Sequence, residues 1–157
     1  MTNKTEMNFD DILDQSIDDL ADLPEFKIPF TGMYRLTVTA ETKEINKKPA
    51  VATHFVVVDL IELADSSIPE EERSKPGDKF DIAYILKDDE GNKNEIGEGS
   101  MKKFLLPFHE HFGDKSIRNV IMTHLATPVS ITAKVERRER KKEEGKFDAR
   151  ISDVVID

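Results

Sequence analysis

The side chains best suited to chemistry are cations gathered into two short runs. Arg137, Arg138, Arg140, Lys141, Lys142 and Lys146 crowd one stretch, and Lys43, Lys47 and Lys48 another. Guanidinium and ammonium groups at this density suit a polyanion, because each can donate charge-assisted hydrogen bonds to phosphate oxygens. Glu136, Glu139, Glu143 and Glu144 lie in or beside the first run, so a solvated charged turn is the competing reading. Were the polyanion an unpaired nucleic-acid strand, flat side chains would be needed to stack its bases. Aromatics are few: nine Phe, two Tyr and no Trp. Tyr34, Phe80, Tyr84 and Phe147 share phase with aliphatic neighbours and read as core. Phe55 lies in a run without polar alternation, Phe55-Val56-Val57-Val58, and is the stacking candidate. Sparse stacking implies binding that is mostly ionic and steeply salt-dependent.

Other constellations carry less. His109-Glu110-His111 places two histidines two apart, which on a helix point to different sides, and lacks the four-residue spacing of a zinc helix. His54 and His124 are isolated in sequence. Gly97-Glu98-Gly99-Ser100 has glycines before a helix but no Gly-Lys-Ser/Thr, and Glu98 would repel phosphate. No nucleophile, base and orienting acid stand out together. The expectation is a binding protein with no catalytic residues, no metal and no cofactor.

The basic runs need a scaffold that holds them out to solvent. Val129, Ile131, Ala133 and Val135 alternate with Ser130, Thr132, Lys134 and Glu136, which is strand periodicity. Phe147, Ala149 and Ile151 alternate in the same way, so the residues between form the tip of a hairpin, with Gly145 for the return. Upstream, Tyr34–Glu41, Val51–Leu63 and Phe80–Lys87 read as three strands, with Thr42–Pro49 a lysine-rich turn between the first two. Ser100 is placed to cap a helix carrying Met101, Phe104, Leu105, Phe108 and Phe112, which Pro107 should kink and Gly113 should end. Ile117–Leu125 reads as a second short helix. The result is an α+β, mainly antiparallel β chain: three strands, a helix pair, two strands. It fits an OB-like five-stranded barrel or an open sheet. In an OB-like barrel nucleic acid crosses strands two and three, flanked by the turns joining strands one to two and four to five, which are the two basic runs. Arg35, Lys134 and Arg150, on the outward phase of their strands, would extend the track.

Charge is unevenly spread. The net charge is −9, yet residues 1–26 hold eight carboxylates against Lys4, which leaves only −2 for residues 27–157. The expected organisation is an acidic arm (1–26) and a β-rich domain (27–157). Within the arm Phe9, Ile12, Leu13, Ile17, Leu20 and Leu23 recur at helical spacing with aspartates between, and Pro24 ends the pattern. With no cysteine, no disulfide or thiolate site is possible. No run is long and apolar enough to span a bilayer and no signal-peptide layout is present, so the expected setting is cytoplasmic. Exposed strand edges favour self-association into a homo-oligomer.

The runs Phe9-Asp10-Asp11-Ile12-Leu13-Asp14 and Asp18-Asp19-Leu20-Ala21-Asp22-Leu23-Pro24-Glu25-Phe26, with Gly32-x-Tyr34 at the first strand, resemble small bacteriophage proteins that bind single-stranded DNA. The resemblance implies a host-cell cytoplasmic role in phage replication, recombination or, as in podovirus relatives, recruitment of a phage RNA polymerase to unwound promoters. Single-stranded DNA, and such a polymerase or replication proteins, are the implied partners. In bacterial single-strand-binding proteins the acidic docking tail is C-terminal, whereas here the acid is N-terminal. The alternative is a protein-interaction module whose acidic helix docks a polymerase or host factor.

Overall fold

The computed structural model describes residues 28–140 and 143–157, with the side chains of 143 and 144 not described. The expected acidic N-terminal helix lies outside these residues, as do Lys141 and Lys142. Five strands form one antiparallel sheet in the order β3-β2-β1-β4-β5: β1 (Gly32–Ile45), β2 (Lys48–Leu63), β3 (Lys79–Ile85), β4 (Val129–Arg140) and β5 (Glu143–Ile156). Helix α1 (Glu95–Phe112) and a short helix α2 (Ile117–Asn119), which widens into a π-helical stretch (Val120–His124), connect β3 to β4. This is the expected α+β element order.

Alternation dictates which face is buried. Tyr34, Leu36 and Val38 of β1, Phe55 and Val57 of β2, Phe80 of β3 and Ile131, Ala133 and Val135 of β4 all point inward and are essentially inaccessible. Phe104 and Phe108 of α1 close over them, with Phe104 edge-on to Phe55 and stacked on Tyr84. The sheet edges β3 and β5 approach each other, and α1 touches both. Register shifts in the β1–β2 ladder fall between Met33 and Tyr34 and between Arg35 and Leu36, leaving Ile61 and Val58 of β2 as the extra residues. Bulges bend the strand that carries them and put the extra residue outside the ladder. That is why these two aliphatics are exposed within a buried strand.

Three expected boundaries move. The lysine-rich turn is only Asn46–Lys47, both at positive φ, the signature of a two-residue type I′ turn whose twist matches the strands. The strands therefore run through Lys43 and Lys48. Likewise β4 continues to Arg140, so Arg137, Arg138 and Arg140 are strand residues, not loop residues. Helix α1 begins at Glu95 under an Asn94 cap, not at Ser100. The Asn94 carboxamide accepts from the Gly97 amide and donates to the Ile85 carbonyl, tying the helix start to the end of β3. Helix α1 runs unbroken through Pro107 and ends, as expected, on left-handed Gly113.

Gly97 lies so close beneath β3 that a Cβ there would overlap the Ile85 carbonyl oxygen. Gly97→Ala is expected to cost about 2 kcal/mol or more through this overpacking, although alanine is the better helix former. Urea unfolding of the two proteins measures it.

Candidate nucleic-acid interface

Extending the pleat of β4 past its apolar half sorts the basic residues into two classes. Val135 and Arg137 share the inward phase, while Lys134, Glu136, Arg138 and Arg140 share the outward one. Arg137 is half-buried. Its guanidinium donates through Nε and Nη2 to the Ile28 carbonyl, lies 3.9 Å over the Phe30 ring and 4.9 Å from that of Phe147, and its amide donates to Thr31 Oγ1 at 3.0 Å. Burial pulls its pKa below the usual arginine value. Arg137 therefore clasps the segment leading into β1 to the hairpin, which corrects its expected role as a phosphate-binding cation.

The outward phase carries the charge lattice. The Glu136 carboxylate accepts from Arg138 at 3.0 Å, lies 3.7 Å from the Lys134 ammonium, and has Arg150 as its ladder partner on β5. These contacts, Arg138 foremost, hold its pKa below the ordinary carboxylate range. One carboxylate shared among three cations leaves the spot positive. Arg140 donates to Asp148 at 3.0 Å, and Arg35 on β1 lies 3.9 Å from Asp157. Over the outward surface of β4, β5 and the Gly32–Val38 part of β1 that pairs with β4, Arg35, Lys134, Arg138, Arg140 and Arg150 thus stand against Glu136, Asp148 and Asp157. Lys146 is exposed near the tip, as is Glu139. Arg35, Lys134 and Arg150 occupy the outward phase anticipated for them.

The other basic turn lies elsewhere. In register, Gly32 pairs with Val135, so Arg138 and Arg140 lie beyond the start of β1, while Lys47 lies beyond its end. The two turns therefore sit at opposite ends of that strand. Lys48 pairs with Asp89, whereas Lys43 and Lys47 are exposed. The outer surface of β2 and β3, the expected path for a nucleic-acid strand, presents an acidic group instead. His54 lies between Asp81 (2.9 Å) and Glu41 (2.6 Å), among Ala52, Val56 and Ala83. Phe55 is 1 % exposed and stacks on Phe80 at 4.9 Å, so it is core and not a base platform. Its neighbour Val56 takes the outward phase, and the apolar run is uninterrupted because the bulge at Val58 follows at once.

Sequence reasoning missed the clasp of Arg137, which carrying the two-residue period from Val129 through the charged run would have placed on the inward phase. It also missed the pairing of Arg140 with Asp148, which joins two strands. The His54 pair of carboxylates had no such signal, since three strands supply it. Among the described residues no cluster of three or more His, Asp or Glu has metal-binding geometry, and no helix is long and apolar enough to cross a membrane. No protein-family model, no curated protein and no solved structure matches the chain.

Two outcomes follow. Arg137→Ala removes charged hydrogen bonds and two ring contacts and is expected to cost about 2 kcal/mol in urea unfolding, against under about 0.5 kcal/mol for Arg138→Ala on the surface. For His54, desolvation lowers the pKa, but Asp81 and Glu41 together outweigh it and the net shift is upward. The stabilisation is therefore fully present below the ordinary histidine value of 6.5 and lost as the pH rises through the folded-state value. The urea midpoint should fall as the pH rises past 6.5, and His54→Gln should flatten that fall.

Proposed function

We propose that this chain binds single-stranded DNA without catalysis, in the service of phage replication, recombination or recruitment of a phage RNA polymerase. The observation that carries the reading is the outward lattice on β1, β4 and β5, where cations outnumber the carboxylates among them. The strand order β3-β2-β1-β4-β5, with a helix between β3 and β4 and the sheet edges drawn together, supports an OB-like fold. The likeness of the N-terminal runs to small phage single-strand-binding proteins supports the same reading.

The path differs from the one implied by strand order alone. The acidic His54 group disfavours a phosphate track over β2 and β3, so the strand is placed along Arg35, Lys134, Arg150, Arg138 and Arg140. Serine and threonine hydroxyls on the same phase, Ser130 and Thr132, add hydrogen-bonding capacity. No aromatic side chain among the described residues stands in the outward phase of this surface. Phe30 and Phe147 are engaged with Arg137. Binding is then mainly ionic, with little base preference. Arginine suits this use because its planar fork can keep one edge on a neighbouring carboxylate and offer the other to phosphate.

The second reading, a module whose acidic arm docks a polymerase or host factor, is favoured by the concentration of carboxylates in residues 1–26. Deleting residues 1–26 separates the two: partner capture lost with DNA binding kept assigns the arm to the partner.

Fluorescence anisotropy with a labelled single-stranded oligonucleotide tests the first. Neutralising about five phosphates gives a log K against log salt slope of about −3.5. Charge reversal at Arg138, Arg140 and Arg150 together should weaken binding well over tenfold and flatten that slope to about −1. No binding at low salt, with and without residues 1–26, ends the proposal, and unchanged affinity of the triple variant moves the site off this surface.

A further inference from the structure

Helix α1 turns one face to the core and leaves another bare. Beside it, Met101, Leu105, Leu106, Ile117 and Val120 line an open groove of about 450 Å³. Leu106 is 46 % exposed and Ile117 54 %, values that mark a surface without a cover among the described residues. A second hollow shares Met101 and Ile117 and adds Met122, which is also 54 % exposed. The charged residues around the two hollows are Lys93, Lys102, Lys115 and Arg118 against Glu95 and Glu98. Lys93 and Glu98 pair with each other at 3.1 Å, leaving the rim net positive.

Residues 9–23 have the complementary pattern. Wound as a helix at 3.6 residues per turn, Phe9, Ile12, Leu13, Ile17, Leu20 and Leu23 fall within an arc of about 140°. The six aspartates between them fall on the remaining arc, with Asp10 and Asp19 at its two borders, and no basic residue interrupts the segment. Fifteen helical residues span about 22 Å and the four that link them to Ile28 up to about 14 Å, together comparable with the diameter of a domain of this size. The cationic surface of β4 and β5 can answer the aspartates but offers the apolar stripe only the lone exposed Val155, not a groove. The groove answers both.

We propose that residues 9–23 of the same chain dock as an amphipathic helix in the groove between α1 and the Ile117–His124 segment, apolar stripe inward, border aspartates against the rim lysines. The groove lies on the helix side of the sheet, whereas the outward lattice faces solvent on the other. Docked there, the arm keeps its carboxylates on the side of the sheet opposite the cations, where screening by salt weakens their interaction further. Docking itself does not depend on the nucleic-acid reading.

The chain has no cysteine, so a nitroxide on Gln15→Cys, on the polar side of the arm, is a single label. In the ¹⁵N-labelled full chain without nucleic acid, amide signals of Leu105, Leu106 and Ile117 should lose more than half their intensity, and those of Arg138 and Arg150 should not. Adding Leu106→Asp and Ile117→Asp, both at exposed positions, should reduce that broadening at least threefold while the rest of the spectrum is kept. Broadening confined to Arg138 and Arg150, or none, overturns the proposal. Broadening in a mixture of spin-labelled unlabelled-nitrogen chain with ¹⁵N chain overturns the same-chain docking in favour of a second copy.

Discussion

The pleat of β4 is the constraint on which the rest depends. A strand has only two sides, and its ladders with β1 and β5 leave no freedom to rotate one residue without its neighbours. Once Ile131, Ala133 and Val135 are committed to the core, the sides of Arg137, Arg138 and Arg140 are decided as well. The hydrophobic burial of three aliphatic residues thus sets the direction of three arginines that take no part in it. One becomes a clasp and two face solvent.

The clasp has a physical reason to be arginine. At the end of the core the inward phase no longer meets aliphatic neighbours but the carbonyl of Ile28 and two phenyl rings. A guanidinium satisfies the carbonyl through its edge and the rings through its faces. Lysine has one point of charge and no flat face, and leucine would leave the carbonyl unpaired. The same arrangement fastens the segment before β1 to β4.

Charge separation is what reconciles a chain of net −9 with a cationic surface. On the outward lattice Glu136 and Asp148 hold the arginines in position without cancelling them. On β2 and β3 the sign reverses around His54, where two carboxylates flank one imidazole. Interactions between exposed charges fade within a screening length, so surfaces of opposite sign coexist on one small domain.

The sequence by itself determined the elements, their order and most of the core, because period-two and helical spacing are local and burial follows them. Tyr34, Phe80 and Tyr84 went inward as the alternation required. It also revealed that the acid is concentrated at one end. Where strands stop was not legible in the charged runs, since polarity there resembles a loop while the ladder continues to Arg140 and the turn shrinks to Asn46–Lys47. Nor could one sequence position show which lysine or arginine has a partner, because Asp89 reaches Lys48 across forty-one residues and Ile28 meets Arg137 across more than a hundred. Phe55 was misplaced for the same reason: its stacking partner Phe80 comes from another strand. Which face is cationic, which is acidic and where the open groove lies were decided only by folding, as each is assembled from segments far apart in the chain and brought together by strand pairing and helix packing.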